Sequence, residues 1–300
     1  MKQYKADLLI LLVTFFWGTS YLFMKIGLDT LAPFNLIALR FGVAFVAAGI
    51  LFHKKIRHAD RKAVQYALLL GTLLFGVFVC IIFGLRNTST SNAGFLMSMT
   101  VIFVPVLTAL FLKIKPDKRL IAGIAVAVAG IGLLTLKPHA AVQSGDALCI
   151  LAALFFAIHI IVTGRAGQRV DPITVGVLQL GFAALLGIVS SFLFEQPTLP
   201  QNAAGWLSIL ALGILCSAVG FVLQAMAQKY TSPTHTGLIF AMEPVVTAFF
   251  GICFMNETLT VQGYIGAGLV LAGVAVCELD FRKLLAKRKS AGKSSYHRAA

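Results

Sequence analysis

PFNLIALRFG, Pro33 to Gly42, and PITVGVLQLG, Pro172 to Gly181, are the two segments whose comparison decides the architecture. They stand 139 residues apart, both open on proline and close on glycine, and Arg40 in the first is matched by Gln179 in the second. The same offset brings Asp7 onto Asp146 and Phe16 onto Phe155. Further along, an offset of 143 sets Thr88-Ser89 on Thr231-Ser232, and Gly94, Gly123 and Gly130 on Gly237, Gly266 and Gly273. The chain therefore reads as two repeats. One irregularity stands out: Gly94 to Pro105 is eleven residues, whereas Gly237 to Pro244 is seven. Four extra residues are close to one helical turn, which would keep the same face pointing the same way.

Composition says what the repeats are made of. Hydrophobic residues are 59% of the 300 and charged residues only 12%, against roughly 25% charged in an average soluble domain. One soluble core could not hide that much apolar surface, so lipid is the solvent for most of the chain. A hydrocarbon layer of about 30 Å needs about 20 helical residues. Apolar runs of that order fall at 7–28, 33–52, 64–85, 92–113, 119–136, 146–164, 172–194, 204–227, 235–255 and 261–278. They are continuous rather than alternating, which excludes spanning strands. The expected fold is an all-α membrane protein of ten transmembrane helices, with connectors too short to hold a soluble domain. The first run is longer than a signal h-region and no A-x-A-like site follows it, so it reads as a retained helix.

The net charge of +14 does not point to nucleic acid, because the cations sit in clusters between apolar runs and in the tail. With the amino terminus in the cytoplasm, 21 of the 25 Lys and Arg fall on the cytoplasmic side. Only Lys25, Arg86 and Lys137 fall on the other, and Arg40 lies inside a span. That is a positive-inside pattern, with both termini cytoplasmic in a bacterial inner membrane. Each repeat has five spans, an odd number, so the second enters from the opposite side. Two inverted halves, 6–137 and 145–279, followed by a basic tail at 280–300, are the layout of many secondary transporters, whose sites lie near the midplane at the repeat interface.

Ionisable groups at membrane depth are the first candidates for such a site. Arg40 lies about 10 Å into the second span, and Glu243 lies near the centre of the ninth. Glu243 either carries a coupling proton or meets a cationic group, and Arg40 meets a carboxylate; alternatively both fix helix packing, in contact with each other. In the first span Thr14, Trp17 and Tyr21 share a face, with Ser20 beside it. Phe156 and His159 are the repeat counterparts of Trp17 and Ser20. Asn92, Met99, His159, Gln179 and Gln224 complete the candidate pathway. Pro105 and Pro244 are expected to kink their helices at mid-depth, either freeing a carbonyl for the cavity or simply bending a packed helix. Gly123, Gly130, Gly263, Gly266 and Gly273 give the fifth and tenth spans small surfaces, suited to a scaffold or to a homodimer contact. The five cysteines are scattered singly in apolar stretches and read as packing residues. No metal-binding, ATP-binding or His-Glu-x-x-His motif is present, so neither a cofactor nor an enzymatic centre is expected.

Several pieces in order resemble the tandem EamA domains of the drug/metabolite transporter superfamily. They are Phe16-Trp-Gly-Thr-Ser20, Pro33 with Ala38-Leu-Arg-Phe-Gly42, Thr88-Ser-Thr-Ser-Asn-Ala-Gly94, Val104-Pro105 and Glu243-Pro244. Asn256-Glu-Thr-Leu259, followed by Gly266 and Gly273, completes the pattern, which covers about 6 to 278. The resemblance implies a ten-helix secondary transporter with a central cavity lined mainly by the first, third, fourth, sixth, eighth and ninth helices. It implies cargo drawn from amino acids, other metabolites and drugs, usually exported. The first half departs from the pattern, with Lys113-Ile-Lys-Pro where the second has Asn256-Glu-Thr-Leu. The competing readings are a channel and a non-transporting scaffold, which saturable counterflow would separate from a carrier.

Overall fold

The computed structural model describes residues 1–87, 90–113, 118–135, 144–255 and 260–278. The basic tail, Thr88-Ser89 and the Asn256–Leu259 motif lie outside the described residues, as does the Asn92 side chain. Helices fill the expected apolar stretches, and no strand occurs among the described residues. They are α1 Gln3–Leu28, α2 Pro33–Leu51, the short α3 His53–Arg57, α4 Arg61–Leu85, α5 Thr90–Ser98 and α6 Thr100–Leu112. Then come α7 Lys118–Thr135, α8 Asp146–Gly167, α9 Pro172–Phe194 and α10 Ala203–Leu210. A π-helical segment, Ala211–Val219, runs on into α11 Gly220–Gln228, followed by α12 Pro233–Phe240, α13 Glu243–Met255 and α14 Val261–Glu278. Six helical runs are long and apolar enough to cross a membrane: α1, α2, α4, α8, α9 and the composite Ala203–Gln228. Leu96–Phe111 and Val261–Val276 are shorter apolar runs.

Local chemistry sets the helix starts. Pro33, Pro172 and Pro233 occupy the first turn of α2, α9 and α12, where a missing N–H costs nothing. Asp60, Asp171, Asn202 and Ser232 cap α4, α9, α10 and α12 through side-chain oxygens, satisfying amides that have no partner inside the helix. The cap of α2 is Ala32, which has no such group. There the Glu195 carboxylate, just beyond α9, accepts from the amides of Phe34 (3.0 Å) and Asn35 (2.9 Å).

Two ends of the bundle can be told apart. Phe34 meets Phe83 with ring centroids 5.4 Å apart, and the Gly145 amide donates to the Asn87 carbonyl. These contacts and Glu195 define one face. At the other, Lys55 donates to Asp171 (2.8 Å), Gln168 donates to the Lys229 carbonyl (2.6 Å), and Arg169 donates to the Tyr66 hydroxyl (3.2 Å).

Helix pairing is extensive between distant parts of the chain. α2 packs on α9, α7 on α14, and α4 on both α8 and α9, while α1 packs on the Ala203–Gln228 run and on α13. α2 and α9 run antiparallel: Gly187 abuts Ala38 and Gly181 abuts Phe45. α7 and α14 do the same, backbone on backbone. A Cβ on Gly130 would stand 2.7 Å from the Gly266 carbonyl, and one on Gly273 2.6 Å from the Gly123 carbonyl. Gly123, Gly130, Gly266 and Gly273 thus meet one another inside the chain, as the scaffold reading expected.

Pro244 follows directly on a helix break, whereas Pro105 does not. The fourth stretch breaks at Met99, between α5 and α6, and Pro105 lies inside α6. The ninth breaks at Ala241-Met242, and Pro244 is the second residue of α13, a position that tolerates proline. Met99 stands five residues beyond Gly94, and Met242 five beyond Gly237. The two breaks therefore correspond without any extra turn, and the four-residue irregularity belongs to the placement of the prolines alone.

Candidate functional site

A cavity of about 50 Å³ lies between α1, α2, α4, α5, α8, α11 and α13. Trp17, Ser20, Tyr21, Arg40 and Glu243, five of the residues singled out from the sequence, line it. The volume is enough for about one or two water molecules. Met24 and Ile81 carry the lining toward the Glu195 face, since each lies four residues before the end of its helix there.

Arg40 is fully buried, with 2% of its surface exposed. Its Nε donates to Ser217 Oγ (2.7 Å) and its Nη1 to Ser20 Oγ (3.2 Å). The guanidinium also stands 4.2 Å from the centroid of the Phe78 ring, a cation–π arrangement that strengthens away from water. Glu243 opens α13, where the exposed amides of a helix start favour a negative charge. No ion pair joins it to Arg40 among the described residues. Both residues line the cavity.

Trp17 is fixed from behind. Its indole N–H donates to the Cys216 carbonyl (2.8 Å), within the π-helical segment. A π-helix shifts its hydrogen bonds from the usual pattern, so a carbonyl in it can serve a side chain. Gly220 makes room, because a Cβ there would stand 2.7 Å from Trp17 Nε1. Around the indole pack Phe240, Phe221 and Phe156, with centroids 4.8, 5.0 and 5.5 Å away. Phe156 and Phe240 are themselves 5.8 Å apart. Four rings from α1, α8, α11 and α12 thus form a layer across the bundle.

His159, Gln179 and Gln224 are not on the cavity; all three are wholly buried beyond this layer. His159 Nε2 lies 2.9 Å from Gln179 Oε1; a carbonyl oxygen only accepts, so Nε2 carries the proton and Nδ1 is a bare acceptor. That Nδ1, and both amide atoms of Gln224, have no hydrogen-bond partner. Thr14 turns back on its own helix, donating to the Ile10 carbonyl (2.9 Å). Met99 packs against the core at the α5–α6 break, and Met97 takes the place on the cavity. Sequence reasoning missed Phe78, Ser217 and Phe221. Ser217 carried a signal as a polar residue in an apolar span, whereas the phenylalanines resemble ordinary core residues. No cluster of three or more metal-ligating side chains occurs among the described residues.

Comparison with known proteins bears on the fold and the family. A solved crystal structure superposes with a TM-score of 0.79 over 95% of this chain and 99% of its own, at 20% identity, a likeness of fold. An uncharacterized transporter of Archaeoglobus fulgidus is 28% identical over 279 residues, covering 93% of this chain and 87% of its own. The uncharacterized transporter YcxC of Bacillus subtilis is 28% identical, over 94% and 95% of the two chains. A Salmonella typhimurium protein named "Probable amino-acid metabolite efflux pump" is 27% identical, over 93% and 96%. The sequence profile of the EamA-like transporter family matches residues 4–136 and 143–278. This chain belongs to the EamA-like transporter family and is a multi-pass membrane transporter, not an enzyme.

Proposed function

We propose that the protein is a secondary active transporter that exports a small zwitterionic metabolite, an amino acid or a close relative, by alternating access. One observation carries this reading: a cation and an anion, Arg40 and Glu243, line a single aromatic-walled cavity. As this small space widens in the transport cycle, a cargo carboxylate meets Arg40, its ammonium meets Glu243, and its apolar part lies against Trp17, Phe156 and Phe221. The name of the Salmonella relative is in keeping with such a cargo. Among the described residues, Glu243 is the one carboxylate on the cavity lining. Cargo and a coupling proton therefore compete for it, which ties exit of one to entry of the other.

Ten crossings in two inverted halves, 6–137 and 145–279, are the frame for this cycle. Two observations support it. The equivalent helices α2 and α9, and likewise α7 and α14, run antiparallel, as inversion requires. Exchanging the halves also maps pairing onto pairing: α4 on α8 becomes the Ala203–Gln228 run on α1, and α6 on α8 becomes α13 on α1. The basic Asp171 face is assigned to the cytoplasm, with both termini, by the positive-inside rule. The small cavity is unlike a channel's continuous pore.

Counterflow in proteoliposomes tests the proposal. Vesicles loaded with one member of an amino-acid panel should accumulate labelled cargo saturably, and Glu243→Gln should abolish accumulation driven by a pH gradient. Leak without saturation would favour a channel, and no flux of any panel member would remove the zwitterion assignment.

A further inference from the structure

The four-ring layer separates two unlike regions. Toward the Glu195 face lies the cavity. Toward the Asp171 face, along the seam of α8 and α11, lies a file of polar side chains with unmet hydrogen-bonding atoms. They are His159 Nδ1, Thr163 Oγ1, both amide atoms of Gln224, Gln228 Oε1 and, at the end, Thr231 Oγ1. His159, Thr163, Gln224 and Gln228 are each at most 2% exposed.

Helix geometry lines these groups up. His159 and Thr163 are four apart on α8; Phe221, Gln224 and Gln228 are three and four apart on α11, so each set shares a face. The helices run parallel, with Phe221 beside His159 (centroids 6.0 Å) and Lys229 beside Gly167. Gln228 Nε2 donates across the seam to the Ile160 carbonyl (3.0 Å). Buried polar groups are almost always paired, because each unpaired one costs about 1–3 kcal/mol. Several together on one seam need a reason, and packing gives none: apolar side chains would fill the space at lower cost.

We propose that this seam is the closed half of the cargo pathway, and that the Trp17, Phe156, Phe221 and Phe240 rings are the gate between it and the cavity. The inference rests on the alternating-access reading above. When α8 and α11 part, the unmet donors and acceptors line a passage from the ring layer to the Thr231 end. The groups are neutral amides, two hydroxyls and an imidazole, offering both donors and acceptors. They suit the passage of a zwitterion handed on from Arg40 and Glu243, without a fixed charge to trap it.

The test uses the full chain with its native cysteines replaced, reconstituted in proteoliposomes of known orientation. Gln224→Cys and Thr163→Cys are compared with Ala225→Cys, a neighbour equally buried but packed on Gly176 of α9. A membrane-impermeant thiol reagent applied at the Asp171 face should modify the first two at least about tenfold faster than the third, a difference of about 1.4 kcal/mol in accessibility. Equal rates at all three positions would overturn the proposal. A second variant, Gln224→Leu, should cut counterflow about tenfold with the thermal midpoint unchanged or raised. Full counterflow with a raised midpoint would identify Gln224 as a packing defect and overturn the pathway. Wild-type protein that moves no panel member while Gln224→Cys still labels would sink the zwitterion assignment and leave the seam standing.

Discussion

Ser20 with Arg40 and His159 with Gln179 occupy corresponding places in the two halves, each pair twenty residues apart and joined by a side-chain hydrogen bond. The first pair is charged and lines the cavity. The second is neutral and wholly buried. One scaffold, used twice, therefore presents unlike chemistry on the two sides of the ring layer. A symmetric pair of arginines would bury a second cation beyond the ring layer; a single arginine leaves one side able to hold a carboxylate and the other able to let it go.

The comparison breaks first at Arg40. Arg40→Gln gives the first half the second half's side chain, and counterflow should fall about 100-fold, the effect of losing about 2.7 kcal/mol of charge-assisted binding. The converse, Gln179→Arg, buries a cation with no anion beside it. It should lower stability by about 3 kcal/mol, seen as a drop in the thermal midpoint in detergent. If Arg40→Gln instead costs only stability, the two pairs share one structural role and the asymmetry carries no function. Trp17→Phe makes the first ring match its counterpart Phe156 and removes the indole bond to the Cys216 carbonyl. A loss of about 1 kcal/mol, or about fivefold in cargo affinity, is expected in binding measurements.

The smallest effect concerns the helix starts. α2 relies on Glu195 from across the bundle, whereas α9 carries its own cap in Asp171. Burial works to raise the Asp171 carboxyl, but hydrogen bonds from Lys55 and from the Thr174 amide and hydroxyl outweigh it and hold the group below its ordinary value. A lowered acid contributes stability above its unfolded pKa, near 3.9, and loses it as pH falls through the folded value. Thermal midpoints should therefore decline slightly on acidification below about pH 4 in the wild type. In Asp171→Asn that part of the decline should be absent.

Much of this was legible in the chain itself. Apolar run length located the helices because a continuous apolar segment can satisfy its own backbone in lipid only as a helix. Arg40 and Glu243 stood out because ionisable groups are rare at that depth, and the spacing of Trp17, Ser20 and Tyr21 put them on one side of α1. What could not be read was tertiary. Pro244 signals the break at Ala241-Met242, but Met99 breaks its helix with no such residue beside it, while Pro105 sits inside one. Nothing in ALGILCSAV, Ala211 to Val219, announces a π-helix, yet that segment supplies the carbonyl that holds Trp17. His159 and Gln179 looked like cavity residues because repeat equivalence was taken as equivalence of environment. The ring layer puts them on its far side.

The glycine seam of α7 and α14 also bears on how the protein is made. These two helices meet backbone to backbone, yet Val261 follows Thr135 by 126 residues. At 5–20 residues per second, α7 waits about ten seconds in the bilayer before its partner leaves the ribosome. In that interval its small, grooved surface is covered only by lipid or by whatever helix drifts past. α14, made long after α7, is the helix that closes the first half, so a truncation that removes it damages the structure at its middle.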